Sequence, residues 1–119
     1  AKIDPQGVVI TNAGQNYGVF WIQDFELKPG EEYIISFEYK SNVKPQYANL
    51  YLYDYSKEQT QILAKLESIE ASSDFARAEV SFRMPSDAAS GKQRIGIIHR
   101  GTDSGSIYIK SVSIVERGF

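Results

Sequence analysis

Tyr47, Asn49, Tyr51, Tyr53 and Tyr55 occupy alternate positions of one short stretch, interleaved with Ala48, Leu50 and Leu52. In a strand, alternate side chains share a face, so a tyrosine row lies on one side and an apolar set on the other. A tyrosine ring offers a flat apolar platform and its hydroxyl a hydrogen bond. Sugars need both, because their C–H faces are apolar and their rims carry hydroxyls. At roughly 3.3 Å per residue, Tyr51 to Tyr55 span about 13 Å. The bland alternative is that these are good strand residues whose cross-strand packing stabilises an exposed sheet. Tyr47 and Tyr55, near the strand ends, are the outer members of the row.

Four further side chains are candidates. Trp21 is the only Trp. By phase it shares the expected core face with Val19, Gln23, Phe25 and Leu27, and a bulge near Gly18 or Phe20 would turn it outward. Arg94, in opposite phase to Ile95, is a planar donor suited to sugar hydroxyls or a carboxylate. His99 falls in phase with Ile95 and Ile97, at a strand end. Arg100 opens a loop, with Asp103, that would form a rim. Glu38 and Lys40 are expected on solvated surface.

Catalytic chemistry is not indicated. Glycosidic hydrolysis calls for two carboxyl groups with separated pKa values, and none of the 15 acids lies in an apolar context that would raise its pKa. There is no Gly-x-Ser-x-Gly elbow, no phosphate-cradling loop and no His-Glu-x-x-His. The absence of Cys removes thiolate chemistry and disulfides, and a single His rules out a multi-His metal site within the chain. A net charge of −2 with scattered Lys and Arg argues against nucleic acid and anionic membranes. No apolar run approaches the ~20 residues needed to span a bilayer.

The elements that must position these residues read as strands. Period-2 alternation, broken by turn residues every eight to fifteen positions, predicts an all-β, two-sheet antiparallel sandwich of jelly-roll type with about eight strands. The predicted strands are Val8 to Thr11, Val19 to Leu27, Tyr33 to Tyr39, Tyr47 to Tyr55, Ile62 to Ile69, Ala78 to Met84, Gln93 to His99 and Ser106 to Val115. Ile62 to Ile69 has helix-favouring Leu, Ala, Lys and Glu, but a sandwich requires a strand there. In the last strand the apolar phase slips between Ile109 and Val112, which predicts a bulge near Lys110 and Ser111. Residues 1–119 form one domain, expected to be excised from a larger protein and monomeric in isolation.

Two stretches carry a family resemblance. Gln23 to Phe37, with Leu27-Lys28-Pro29-Gly30 followed by Tyr33-Ile34-Ile35-Ser36-Phe37, resembles the early strand pair of jelly-roll carbohydrate-binding modules of families 4, 9, 16 and 22. Gly105-Ser106-Ile107-Tyr108-Ile109-Lys110-Ser111-Val112-Ser113-Ile114 resembles their closing strand. The resemblance implies a non-catalytic module that attaches a secreted or surface protein, bacterial by analogy, to a polysaccharide across a sheet face. It also implies a structural calcium held partly by the first acid of the closing strand. Lys110 stands at that position, and an ammonium offers donors but no ligand oxygen, so calcium is not expected. The competing expectation is a structural or protein-interaction sandwich of a phage, virion or cell-surface protein, in which the tyrosine row is an interface.

Overall fold

The computed structural model describes residues 2–4, 7–10, 17–100 and 105–117. Nine strands are present among them: β1 (Lys2–Asp4), β2 (Gly7–Ile10), β3 (Tyr17–Ile22), β4 (Glu32–Ser41), β5 (Ala48–Asp54), β6 (Gln61–Leu66), β7 (Ser72–Arg83), β8 (Gln93–Arg100) and β9 (Ile107–Glu116). A 3₁₀ turn at Pro45–Tyr47 leads into β5. The strands form two antiparallel sheets ordered β1-β2-β9-β4-β7 and β3-β8-β5-β6. From β2 onward, successive strands alternate between the sheets except where β5 pairs directly with β6. This is a jelly roll.

The expected alternation is realised in the core. Tyr33, Ile35, Phe37 and Tyr39 of β4 point inward from one sheet, and Ala48, Leu50 and Leu52 of β5 with Ile95 and Ile97 of β8 from the other. Facing rows are continuous: Ile22, Ile95, Leu52 and Ala64 lie in register across four strands, as do Phe20, Ile97, Leu50 and Leu66. Each fully buried Leu or Ile contributes about 1.5–3 kcal/mol relative to an exposed one. The segment of mixed propensity is strand β6 over Gln61–Leu66, where pairing with β5 overrides helix preference.

The bulge expected near Lys110 and Ser111 is present. Ser36 faces Ser113 and Glu38 faces Lys110, so two residues of β9 oppose one of β4, and Ser111 takes φ 56°. The Pro29-Gly30 turn is also as expected: Gly30 adopts φ 84°, and its N–H donates to Met84 O at 2.8 Å.

Several boundaries differ from the sequence reading: β7 begins at Ser72 rather than Ala78, and β6 ends at Leu66 rather than Ile69. β1 has no counterpart in that reading; Thr11, the end of the first predicted strand, lies outside the described residues. β3 stops at Ile22 rather than Leu27, because Asp24 takes φ 65° and breaks the extended run. Tyr47 lies in the 3₁₀ turn and packs against the core, so it does not join the tyrosine row.

Candidate functional site

The sheet β3-β8-β5-β6 has an outer face built by the register of its strands. Trp21 of β3 pairs with Gly96 of β8, which pairs with Tyr51 of β5. In the next rows Val19, Ile98 and Asn49 align, and Arg94 pairs with Tyr53, which pairs with Ile62 of β6. The inward apolar set on β5 and β8 therefore forces Tyr51, Tyr53, Arg94 and Arg100 outward together.

Trp21 faces outward, contrary to its predicted core phase, and is 39% exposed. No bulge turns it: β3 and β8 pair without a break from Tyr17 to Ile22. The error came from reading Val19 to Leu27 as one strand. Asp24 interrupts the alternation, so Leu27 reaches the core while Phe20 and Ile22, not Val19 and Trp21, are the inward pair of β3.

The rings form a connected surface. Trp21 and Tyr53 have centroids 6.0 Å apart, Tyr51 and Tyr53 are stacked at 5.9 Å, and Tyr53 and Tyr55 lie 6.2 Å apart. Tyr53 is the hub. Burial among its neighbours pushes its phenol above the ordinary value, opposed by the nearby Arg100 guanidinium and reinforced by Tyr51 and Tyr55. At neutral pH it keeps its proton and can donate.

Two guanidiniums cap the rings. Arg94 sits 5.5 Å from the centre of Trp21 and 5.2 Å from that of Tyr55, and Arg100 sits 5.4 Å from that of Tyr51. Such cation–π contacts hold a guanidinium near the face of a ring. Arg100 is fixed further by its Nε, which donates to Asn49 Oδ1 at 2.7 Å, and Asn49 in turn donates to Glu67 O.

Two shallow basins flank the hub. One, about 240 Å³, is lined by Val19, Trp21, Tyr53, Ile98 and Arg100. The other, about 210 Å³, includes Tyr55, Arg94, Lys92, Gln93 and Asp24. A larger recess of about 420 Å³ opens between the sheets, lined by Phe20, Ile22, Gln23, Phe25, Val112 and Ile114. Its lining is almost wholly apolar, so it lacks the polar groups that would orient a sugar.

Among the predicted site residues, Trp21, Tyr51, Tyr53, Tyr55, Arg94 and Arg100 come together on this face. Tyr47 does not, and neither does His99. His99 is wholly buried, paired with Gly18 and Ala48 on the core side, as its phase with Ile95 and Ile97 required. Asp103 lies outside the described residues. Sequence reasoning missed Gly96 and Asn49. A glycine inside an apolar strand marks a close approach, and Asn49 shares the tyrosine phase; both signals were legible.

The position expected to supply calcium with an acid does not fit that ion. Lys110 Nζ lies 3.6 Å from the Glu38 carboxylate and 4.0 Å from the centre of the Phe75 ring, on the outer face of the other sheet. Glu38 and Lys40 share that face, Lys40 lying over Phe75 and Tyr108. Among the described residues, no three His, Cys, Asp or Glu side chains are grouped to hold a metal.

No family model matches the sequence, and no curated protein matches it. Solved structures do match. A family-4 carbohydrate-binding module superimposes with TM-score 0.63 at 18% identity over 90% of this chain and 64% of its own. The N-terminal cellulose-binding domain of Cellulomonas fimi β-1,4-glucanase C gives 0.63 at 10% identity, over 92% and 76%. The enzymatically active domain of bacteriophage CBA120 tailspike protein 4 gives 0.64 at 16% identity, over 91% of this chain but 15% of that one. Modules of families 16, 22, 6 and 29 also match. The chain thus spans about two thirds of the family-4 chain's length, and it has the jelly-roll β-sandwich fold of carbohydrate-binding modules.

Proposed function

We propose that this domain is a non-catalytic carbohydrate-binding module that attaches a larger secreted or surface protein to a polysaccharide. The single observation that carries the reading is the outer face of β3-β8-β5-β6, where Trp21, Tyr51, Tyr53 and Tyr55 form a continuous aromatic strip capped by two arginines. Sugar rings stack on the strip, and the phenol hydroxyls and guanidinium N–H groups bond the hydroxyls at its edge. The fold shared with carbohydrate-binding modules supports this reading.

The test is a glycan array followed by calorimetry on the best ligand. Trp21→Ala and Tyr53→Ala are each expected to weaken binding at least tenfold, about 1.4 kcal/mol, while costing no more than about 1 kcal/mol of stability. Unchanged affinity in the double variant would remove the site from this face.

A second reading, a structural or interaction domain of a virion or surface protein, draws support from the tailspike likeness. There the strip is a protein interface, helped by Ile62, which is 52% exposed beside Tyr53. An array without hits, together with concentration-dependent association in sedimentation, would favour it.

A further inference from the structure

The chain carries a net charge of −2, yet its aromatic strip is cationic. Along the outward positions of β8, Arg94 and Arg100 stand six residues apart, about 20 Å at ~3.3 Å per residue, with the Trp21–Gly96–Tyr51 row between them. Lys65 of β6, paired with Tyr51, adds a third cation. Among the described residues, Glu67 and Asp24 are carboxylates near the strip. Glu67 is bound to Lys65 at 2.9 Å, and Asp24 lines the basin that also holds Arg94 and Lys92. Neither arginine makes an ion pair with a carboxylate among the described residues.

The arginines are also pre-positioned. Arg94 lies over the Trp21 and Tyr55 rings, and Arg100 lies over Tyr51 and is tied by Nε to Asn49. A guanidinium held over a ring still carries N–H donors that a ligand can accept from. A sugar hydroxyl accepts one neutral bond from such a donor. A carboxylate accepts two parallel, charge-assisted bonds, each roughly twice as strong as a neutral one. Such donors favour a carboxylate over a hydroxyl.

Building on the glycan-binding reading, we infer that this face selects acidic polysaccharides. Uronic-acid carboxylates are received by Arg94 and Arg100 while the intervening sugar rings lie on Trp21, Tyr51 and Tyr53.

The experiment is calorimetry of the whole chain with three sets of oligosaccharides: galacturonate, mannuronate–guluronate and glucuronate-containing. Each is measured beside its carboxyl-reduced, neutral counterpart. At least one uronate is expected to bind ten or more times tighter than its reduced form. That preference should shrink as salt is raised from 0.1 to 1 M and the screening length falls from about 10 to about 3 Å. Arg94→Gln with Arg100→Gln should abolish the preference, bringing the affinities for each uronate and its reduced form to within about threefold of one another, whatever happens to their common level. Equal or tighter binding of the reduced forms, or a preference that survives both Arg→Gln changes, would overturn the inference. If those reduced forms still lose binding in Trp21→Ala, the glycan-binding reading stands without it. No binding of any acidic or neutral form contradicts both.

Discussion

A Cβ added to Gly96 would sit 2.8 Å from Cζ3 of the Trp21 ring, so this glycine is the floor on which the indole lies. Its φ is ordinary, and what it supplies is space. Gly96→Ala is expected to lift the indole off the strip, shift Trp fluorescence and weaken glycan binding several-fold while the domain stays folded. Because Trp21 is the only Trp, its emission reports this site alone; an unshifted spectrum with full affinity would show that the close contact is unimportant. Tyr53 and Tyr39 add a dependence on alkaline pH. Burial raises both phenols above 10.0, and Tyr39 donates to Glu70 O at 2.7 Å. The folded state thus holds these protons more tightly than the unfolded chain. Their stabilising contribution is complete below 10.0 and is lost as pH rises through the raised folded values. Thermal melts should show Tm level on the approach to that pH and falling beyond it, and less steeply in Tyr39→Phe.

At the scale of elements, two left-handed residues decide which faces point where. Ser111 at φ 56° inserts the extra residue in β9, returning Val112 and Ile114 to the core side after Lys110 has faced solvent. An L-residue here costs about 1 kcal/mol that glycine does not pay. Ser111→Gly should therefore raise stability by roughly 0.5–1 kcal/mol, and a β-branched Ser111→Val should lower it by at least as much; chemical denaturation measures both. This bulge was legible in the sequence because its two flanks are apolar and visibly out of phase. The break at Asp24 was not, because Gln23, Phe25 and Leu27 continue the alternation of Val19 and Trp21 on paper. Asp tolerates positive φ better than most residues, but the unbroken alternation around Asp24 hid that signal, and one unrecognised reversal inverted the assignment of Trp21. Strand β5 was legible from Ala48 onward: Ala48, Leu50 and Leu52 mark the buried side, which places Tyr51 and Tyr53 outward, whereas Tyr47 falls in the preceding turn. His99 was expected as a site candidate although its phase with Ile95 and Ile97 pointed inward, and it is wholly buried.

At the scale of the molecule, the two sheets divide the work. β1-β2-β9-β4-β7 supplies the large core side chains Tyr33, Ile35, Phe37 and Tyr39 and turns outward a surface of paired charges such as Glu38–Lys110 and Arg77–Glu79. The sheet β3-β8-β5-β6 backs the same core with Leu50, Leu52, Ile95 and Ile97 and turns outward the aromatic strip. Lys110 stands where the resemblance implies a calcium-ligating acid, and we propose that the domain folds on that shared core without calcium. Adding calcium or a chelator is expected to leave Tm unchanged, whereas Leu52→Ala should cost about 2–5 kcal/mol; a calcium-dependent rise in Tm would contradict this. The central claim, that glycan lies on β3-β8-β5-β6, is tested most directly by amide and indole NMR during titration with the best array ligand. The largest shifts are expected on the Trp21 indole and the amides of Tyr51, Tyr53, Arg94 and Gly96. Shifts centred instead on Lys40, Phe75 and Tyr108 of the opposite sheet, with the Trp21 indole unmoved, would contradict it.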